Sequence, residues 1–180
     1  MRVIVVSNRL PHVLSIEGGL VNFASSNGGL ASSFSSLFTA VSGDGTKREY
    51  LWVGWPGTAV SSGKKDLIQK ELQKKNCHPV FLSKNLADDF YDGMSNRILW
   101  PLFHYFPEKC SFQEEYYSAY KKANELFAEE IVKIARPGDV ILIQDYHLFL
   151  LPGLLRAKLP GATIGFFLHI PFPSFDEFPG

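Results

Sequence analysis

Polar side chains stand where apolar runs stop. Arg9 follows Val3–Val6, Asp145 and His147 follow Asp139–Gln144, and His169 follows Ala162–Leu168. An arginine at a strand end can grip a phosphate through parallel N–H bonds. A carboxylate there can accept hydrogen bonds from sugar hydroxyls. His169 ends an apolar run that reads as a buried strand, and Pro171 and Pro173 then remove backbone donors and stiffen the chain, which holds the imidazole in place. Each residue also has a plainer explanation. Arg9 alone reads as a solvated surface residue, Asp145 as a helix N-cap, and His169 as a hydrogen-bonded core histidine. His147 reads as structural. The argument for chemistry is convergence, because ligands of open α/β sheets gather beyond the carboxyl ends of the strands.

Other stretches supply matching parts. The run "FYDGMSNRILWPLFHY" sets Tyr91, Trp100 and Tyr105 among Asn96, Arg97 and His104. Aromatic faces beside hydrogen-bonding groups suit a carbohydrate, although an aromatic cluster packing a long loop has the same composition. Trp52 and Trp55 are expected to share one face of a strand. Trp52 is taken as core and Trp55, at the strand end, as a site residue. The loop "SNGGL" can offer backbone N–H groups at a helix start to a phosphate, with Gly28 and Gly29 allowing close approach. A plain helix start explains it as well. Metal-ligand spacings, a Gly-x-Ser-x-Gly turn and a Cys/His nucleophile pattern are absent from the sequence. Metal-free chemistry therefore fits better than hydrolysis by an activated serine.

The elements that would position these groups follow from periodicity. Short β-branched or apolar runs read as strands at Val3–Val6, Leu51–Trp55, Pro79–Leu82, Asp139–Gln144 and Ala162–Leu168. Val13–Ile16 and Leu20–Phe23, joined by Gly18-Gly19, read as a hairpin. A helical pattern opens after Gly29, with Leu30, Phe34, Leu37, Phe38 and Val41 on one side. Lys64–Lys75 reads as a helix with Leu67, Ile68, Glu71 and Leu72 inward. Glu114–Ala135 is the clearest helix, its face built from Tyr116, Tyr120, Ala123, Phe127, Ile131 and Ile134. Leu148–Leu159 reads as helical despite Pro152 and Gly153. Residues 88–107 read as loop-rich. Strands alternate with helices and lack polar alternation, so the fold class is α/β: a Rossmann-like parallel sheet with helices on both faces.

Composition bounds the function. With 180 residues, 46% hydrophobic and 20% charged, the chain is globular and long enough for a sizeable core. Eighteen basic residues balance eighteen acidic ones. Neither nucleic acid nor an anionic membrane is an expected partner. Two cysteines, Cys77 and Cys110, are too few for a disulfide framework, so a reducing, cytoplasmic location is expected. No apolar run reaches membrane-spanning length.

Taken in order, "VVSNRLP", "NGGL", "LWVGWPG", "FYDGMSNRILWPLFHY", "DYHLFLLPGLLR" and "GFFLHIPFPS" resemble the trehalose-6-phosphate synthase family across nearly the whole chain. The resemblance implies the N-terminal, acceptor-binding half of a GT-B glycosyltransferase over residues 1–180, with the donor-binding domain lying outside this chain. It implies transfer of glucose from UDP-glucose to glucose 6-phosphate, with retention and without a metal or other cofactor. By matching position, Arg9, Tyr91 and Asp145 would contact the acceptor, with Trp55 nearby. Gly28 and Gly29 would meet the donor diphosphate, and Trp100 and His169 would govern the α-anomeric outcome. After "PFPS" the chain runs Phe175-Asp176-Glu177-Phe178, which departs from the family's usual Ser-Glu continuation. Without a second domain the chain is expected to have little synthase activity. A homo-oligomer or a trehalose-synthase complex would be its protein partner. Two other readings stay open: a non-catalytic sugar-phosphate-binding or regulatory module, and a different GT-B enzyme related to glycogen synthase.

Overall fold

The computed structural model describes residues 1–17, 20–25 and 49–174. Among these residues five strands form one parallel sheet: β1 (Arg2–Arg9), β4 (Glu49–Trp55), β5 (Cys77–Pro79), β6 (Val140–Gln144) and β7 (Thr163–Phe167), in the order β5-β4-β1-β6-β7. Between β1 and β4 in the chain, β2 (His12–Glu17) and β3 (Leu20–Ser25) pair antiparallel, with Glu17 opposite Leu20. The chain steps outward from β1 to β4 and β5, then crosses back to place β6 on the other side of β1. That reversal creates a switch point at the carboxyl ends of β1 and β6.

Both faces of the sheet are covered, as the apolar strands require. On one face Val3, Val5 and Trp52 pack with Ile68 and Leu72 of α1 (Ser62–Gln73) and with Leu14 of the hairpin. On the other, Ile4, Val6, Val53, Ile141 and Ile143 pack on Ala123, Phe127 and Ile131 of α4 (Glu114–Ile134) and on Leu151 and Leu155 of α5 (Leu151–Lys158). Both faces of α4's sequence pattern are therefore accounted for by its buried stripe and its charged remainder.

Several expectations need correction. Trp52 and Trp55 lie in opposite cores, not on one face. A strand alternates with period two, so a spacing of three puts side chains on opposite sides. Leu67 is 51% exposed, because Ile68 and Leu72 alone fall on the inward line of α1. The ladder of β5 begins at Cys77, two residues before the expected strand, and ends at Pro79, its first residue. Val80 still donates its N–H to Gly54 O, and Val80 and Leu82 fill the core without extending the pairing. The expected buried strand before His169 is an edge strand among the described residues, with Phe166 39% and Phe167 60% exposed.

The expected loop at 88–107 is mostly helical. A short helix α2 (Lys84–Ala87), capped by Ser83 Oγ, runs into a π-helix at Asp88–Leu99 and then α3 (Trp100–Phe103). The buried positions Phe90, Gly93, Ser95 and Ile98 fall in pairs five apart, the spacing of π-helical hydrogen bonds. Ser95 Oγ also donates to Phe90 O at 2.9 Å. Gly93 lies against the ring of Tyr116, where a Cβ would come within 2.5 Å. The expected helix over 30–41 and the expected turn at Gly18-Gly19 lie outside the described residues.

Candidate active site

Arg9 is set by a pinned irregularity in β1. The β1–β4 register is regular from Arg2 to Val6 and resumes, shifted, at Arg9 opposite Trp55. Trp52 donates its indole N–H to Ser7 Oγ at 2.7 Å, and Ser7 Oγ donates to Arg9 O at 2.7 Å. Gly54 lets the two backbones close, since its absent Cβ would stand 2.9 Å from Arg9 C, Leu10 N and Ser7 O. In "LWVGW" the first tryptophan thus pins the bulge, the glycine makes room for it, and the second tryptophan meets Arg9.

The guanidinium carbon of Arg9 sits 5.1 Å from the ring centre of Trp55 and 4.8 Å from that of Tyr91. Tyr91 stacks in turn on His147, with centroids 5.7 Å apart and planes 15° apart. His147 stacks on Tyr146 at 4.1 Å. The result is a column running from a cation through aromatic rings, with each ring limiting the motion of the next. His147, whose position in the sequence reads as structural, thus packs behind the Tyr91 ring that Arg9 faces. Burial pushes its imidazole down to about 4, and Arg9 acts in the same direction against the opposing pull of Asp145. His147 is thus neutral at ordinary pH, and Arg9 keeps the only cationic role in the column.

Asp145 follows β6 and is strained, with φ 74° and ψ 167°. That region is nearly reserved for glycine and costs on the order of 1–3 kcal/mol, a strain that clusters at functional sites. The surroundings impose it. Asp145 N donates to Phe167 O at 2.7 Å, and Leu148 N donates to Asp145 O at 3.2 Å. The following turn, Tyr146–Leu148, is tied to α4 through Tyr120, whose hydroxyl donates to Tyr146 O at 2.6 Å and accepts from Phe149 N at 3.0 Å. Asn124 Nδ2 donates to His147 O at 3.2 Å. Asp145 makes no side-chain cap to this turn, so the N-cap explanation fails. Its Oδ1 instead accepts the backbone N–H of His169 at 3.2 Å. The His169 ring meets Gln144 through Nε2 and Oε1, 2.9 Å apart.

Arg9, Trp55 and Tyr91 thus form one group, Asp145 and His169 a second, and His147 lies between them electrostatically through both Arg9 and Asp145. Trp100 stands nine residues from Tyr91 at the end of the π-helix, stacked on His104 at 4.0 Å and 43% exposed. Gly28 and Gly29 lie outside the described residues. Gln144, Tyr120 and Asn124 escape sequence reasoning because nothing local distinguishes them from strand and helix residues. Asn8 Oδ1, Trp55 Nε1, Asn124 Oδ1 and His147 Nδ1 are buried without a hydrogen-bond partner among the described residues. No group of three or more His, Cys, Asp or Glu residues able to hold a metal occurs among the described residues. Among them, too, no helix is long and apolar enough to cross a membrane.

The alpha,alpha-trehalose-phosphate synthase (UDP-forming) 2 of Aspergillus fumigatus is 47% identical over 180 residues, covering 96% of this chain and 36% of that protein. The enzyme of the same name, without the numeral, from Yarrowia lipolytica is 43% identical over 96% of this chain and 37% of its own length. The chain therefore spans about a third of the length of these relatives. Among solved structures, a Burkholderia xenovorans alpha,alpha-trehalose-phosphate synthase in complex with glucose-6-phosphate superposes with a TM-score of 0.70 at 28% identity, over 98% of this chain and 35% of that one. An E. coli structure described as bound with UDP-2-fluoro glucose gives 0.72 at 30% identity, over 99% and 36%. The order of motifs, the sheet topology and a profile match over residues 1–179 agree, and the chain belongs to glycosyltransferase family 20.

Proposed function

We propose that this chain forms the acceptor-binding half of a retaining, metal-independent glucosyltransferase that moves glucose from UDP-glucose to glucose 6-phosphate. The observation that carries the reading is the Arg9 guanidinium seated over Trp55 and Tyr91 at the switch point, where Asp145 follows the neighbouring strand β6. A phosphorylated hexose suits it: the phosphate meets Arg9 and the Tyr91 hydroxyl, and a sugar hydroxyl donates to Asp145. The names of the relatives and the glucose-6-phosphate complex of a structural neighbour point the same way.

In the reaction the bond from the glucosyl anomeric carbon to the UDP oxygen breaks, and a bond to the acceptor's anomeric oxygen forms on the same face. The departing diphosphate oxygen takes the acceptor's proton, so no side chain here need act as general base. His169 and Trp100 border the donor sugar where positive charge develops, and Gly28 and Gly29 offer N–H groups to the diphosphate. Most of the rate comes from positioning and fixed dipoles. In this reading the remaining donor contacts come from a second domain.

Calorimetry tests it. The chain is expected to bind glucose 6-phosphate, and Arg9→Ala to weaken binding by about tenfold to a hundredfold, the worth of a charge-assisted phosphate contact. Equal affinity in the variant would remove the acceptor site. A chimera carrying this chain in place of the matched segment of the Aspergillus fumigatus relative is expected to release UDP from UDP-glucose only when glucose 6-phosphate is present.

A further inference from the structure

Gln144 is the last residue of β6 and is 4% exposed, whereas His169, which its side chain holds, is exposed. Oε1 of Gln144 lies 2.9 Å from Nε2 of His169. The backbone is gripped next to it, because His169 N donates to Asp145 Oδ1 at 3.2 Å and Asp145 N donates to Phe167 O at 2.7 Å. β6 and β7 are in register at Gln144 and Phe167, so consecutive residues of one strand end hold both the ring and the main chain of the other. The Phe167 ring lies 4.7 Å from the imidazole and closes one side of it. Glutamine has the reach for this contact, and it adds no charge beside the Asp145 carboxylate.

We propose that Gln144 is a positioning residue that sets the His169 tautomer. An amide oxygen can only accept, so it selects the imidazole with hydrogen on Nε2. Nδ1 is then left as the ring's free acceptor, in a fixed orientation, for a substrate hydroxyl. Its importance for catalysis rests on the glucosyl-transfer reading above; the tautomer itself does not.

The test is a long-range 1H–15N correlation spectrum of the chain with labelled histidine, with His169→Gln identifying the resonance. In the wild type the Nε2–H form of His169 should dominate by about tenfold, the bias of one well-made hydrogen bond. Gln144→Met, close in shape, should shift the ratio towards that of a histidine free in solution, and Gln144→Glu, which keeps an accepting oxygen, should restore it at alkaline pH, where the ring is neutral. A wild-type His169 with hydrogen mainly on Nδ1, or an unchanged ratio in Gln144→Met, overturns the proposal. In the chimera with the Aspergillus fumigatus relative, Gln144→Met should lower kcat about tenfold and leave KM for glucose 6-phosphate within about twofold, as for loss of a group acting through another. A rise in KM at unchanged kcat also overturns it. A chimera with Gln144 intact that releases no UDP counts against the glucosyl-transfer reading alone, because the tautomer measurement stands apart from turnover.

Discussion

Replacing Gly54 by alanine should loosen the β1–β4 junction and unseat Arg9. The added Cβ would lie 2.9 Å from Arg9 C, Leu10 N and Ser7 O, all backbone atoms that cannot rotate aside. Carbon contacts relax near 3.5 Å, so the strands must part by roughly 0.6 Å. The junction resists this through Leu10 N donating to Trp55 O and Val80 N to Gly54 O, both at 2.9 Å, and through the Trp52–Ser7 bond at 2.7 Å. Overpacking of this kind costs about 1–3 kcal/mol. Stretching even one such hydrogen bond adds about 1 kcal/mol, which points to the upper part of that range. With a urea slope of about 2 kcal/mol/M, the unfolding midpoint should fall by about 1 M. Glucose 6-phosphate affinity should fall further than stability alone explains, because Arg9 itself lies on the displaced backbone. Chemical denaturation followed by calorimetry at a urea-free, fully folded baseline separates the two effects. A Gly54→Ala protein with an unchanged midpoint and unchanged affinity would refute the account of the "LWVGW" motif as a device for seating Arg9.

Gly93→Ala should destabilise by about 1–3 kcal/mol, since its Cβ would meet the Tyr116 ring within 2.5 Å. Tyr116→Leu in the same chain should recover part of that loss, and a double-mutant cycle showing strict additivity would contradict it. His147 gives an acid limb to stability. Its folded value of about 4 lies below the ordinary 6.5, so the unfolded chain binds the proton first and stability falls as pH drops from 6.5 towards 4. The loss is at most about 3 kcal/mol. His147→Phe, which keeps a ring in the stack, should flatten that limb in urea titrations at stepped pH; an unchanged limb would assign it elsewhere.

The sequence by itself determined the class of fold, because strand and helix periodicities are local. Val3–Val6 and Asp139–Gln144 are apolar without alternation, and only a sheet covered on both faces accepts such strands. It also determined that Arg9, Asp145 and His169 stand at strand ends. What the sequence could not decide was which side chains touch. The π-helix was hidden in a segment with Gly93 and Asn96 because its hydrogen-bond register depends on packing against Tyr116, a distant residue. His147 meets Tyr91, and Gln144 meets His169, only because the fold brings distant segments alongside. Strand order decides these meetings. Placing β6 next to β1 sets Asp145 near Arg9 across more than a hundred residues of chain, and no local preference of the backbone carries that information.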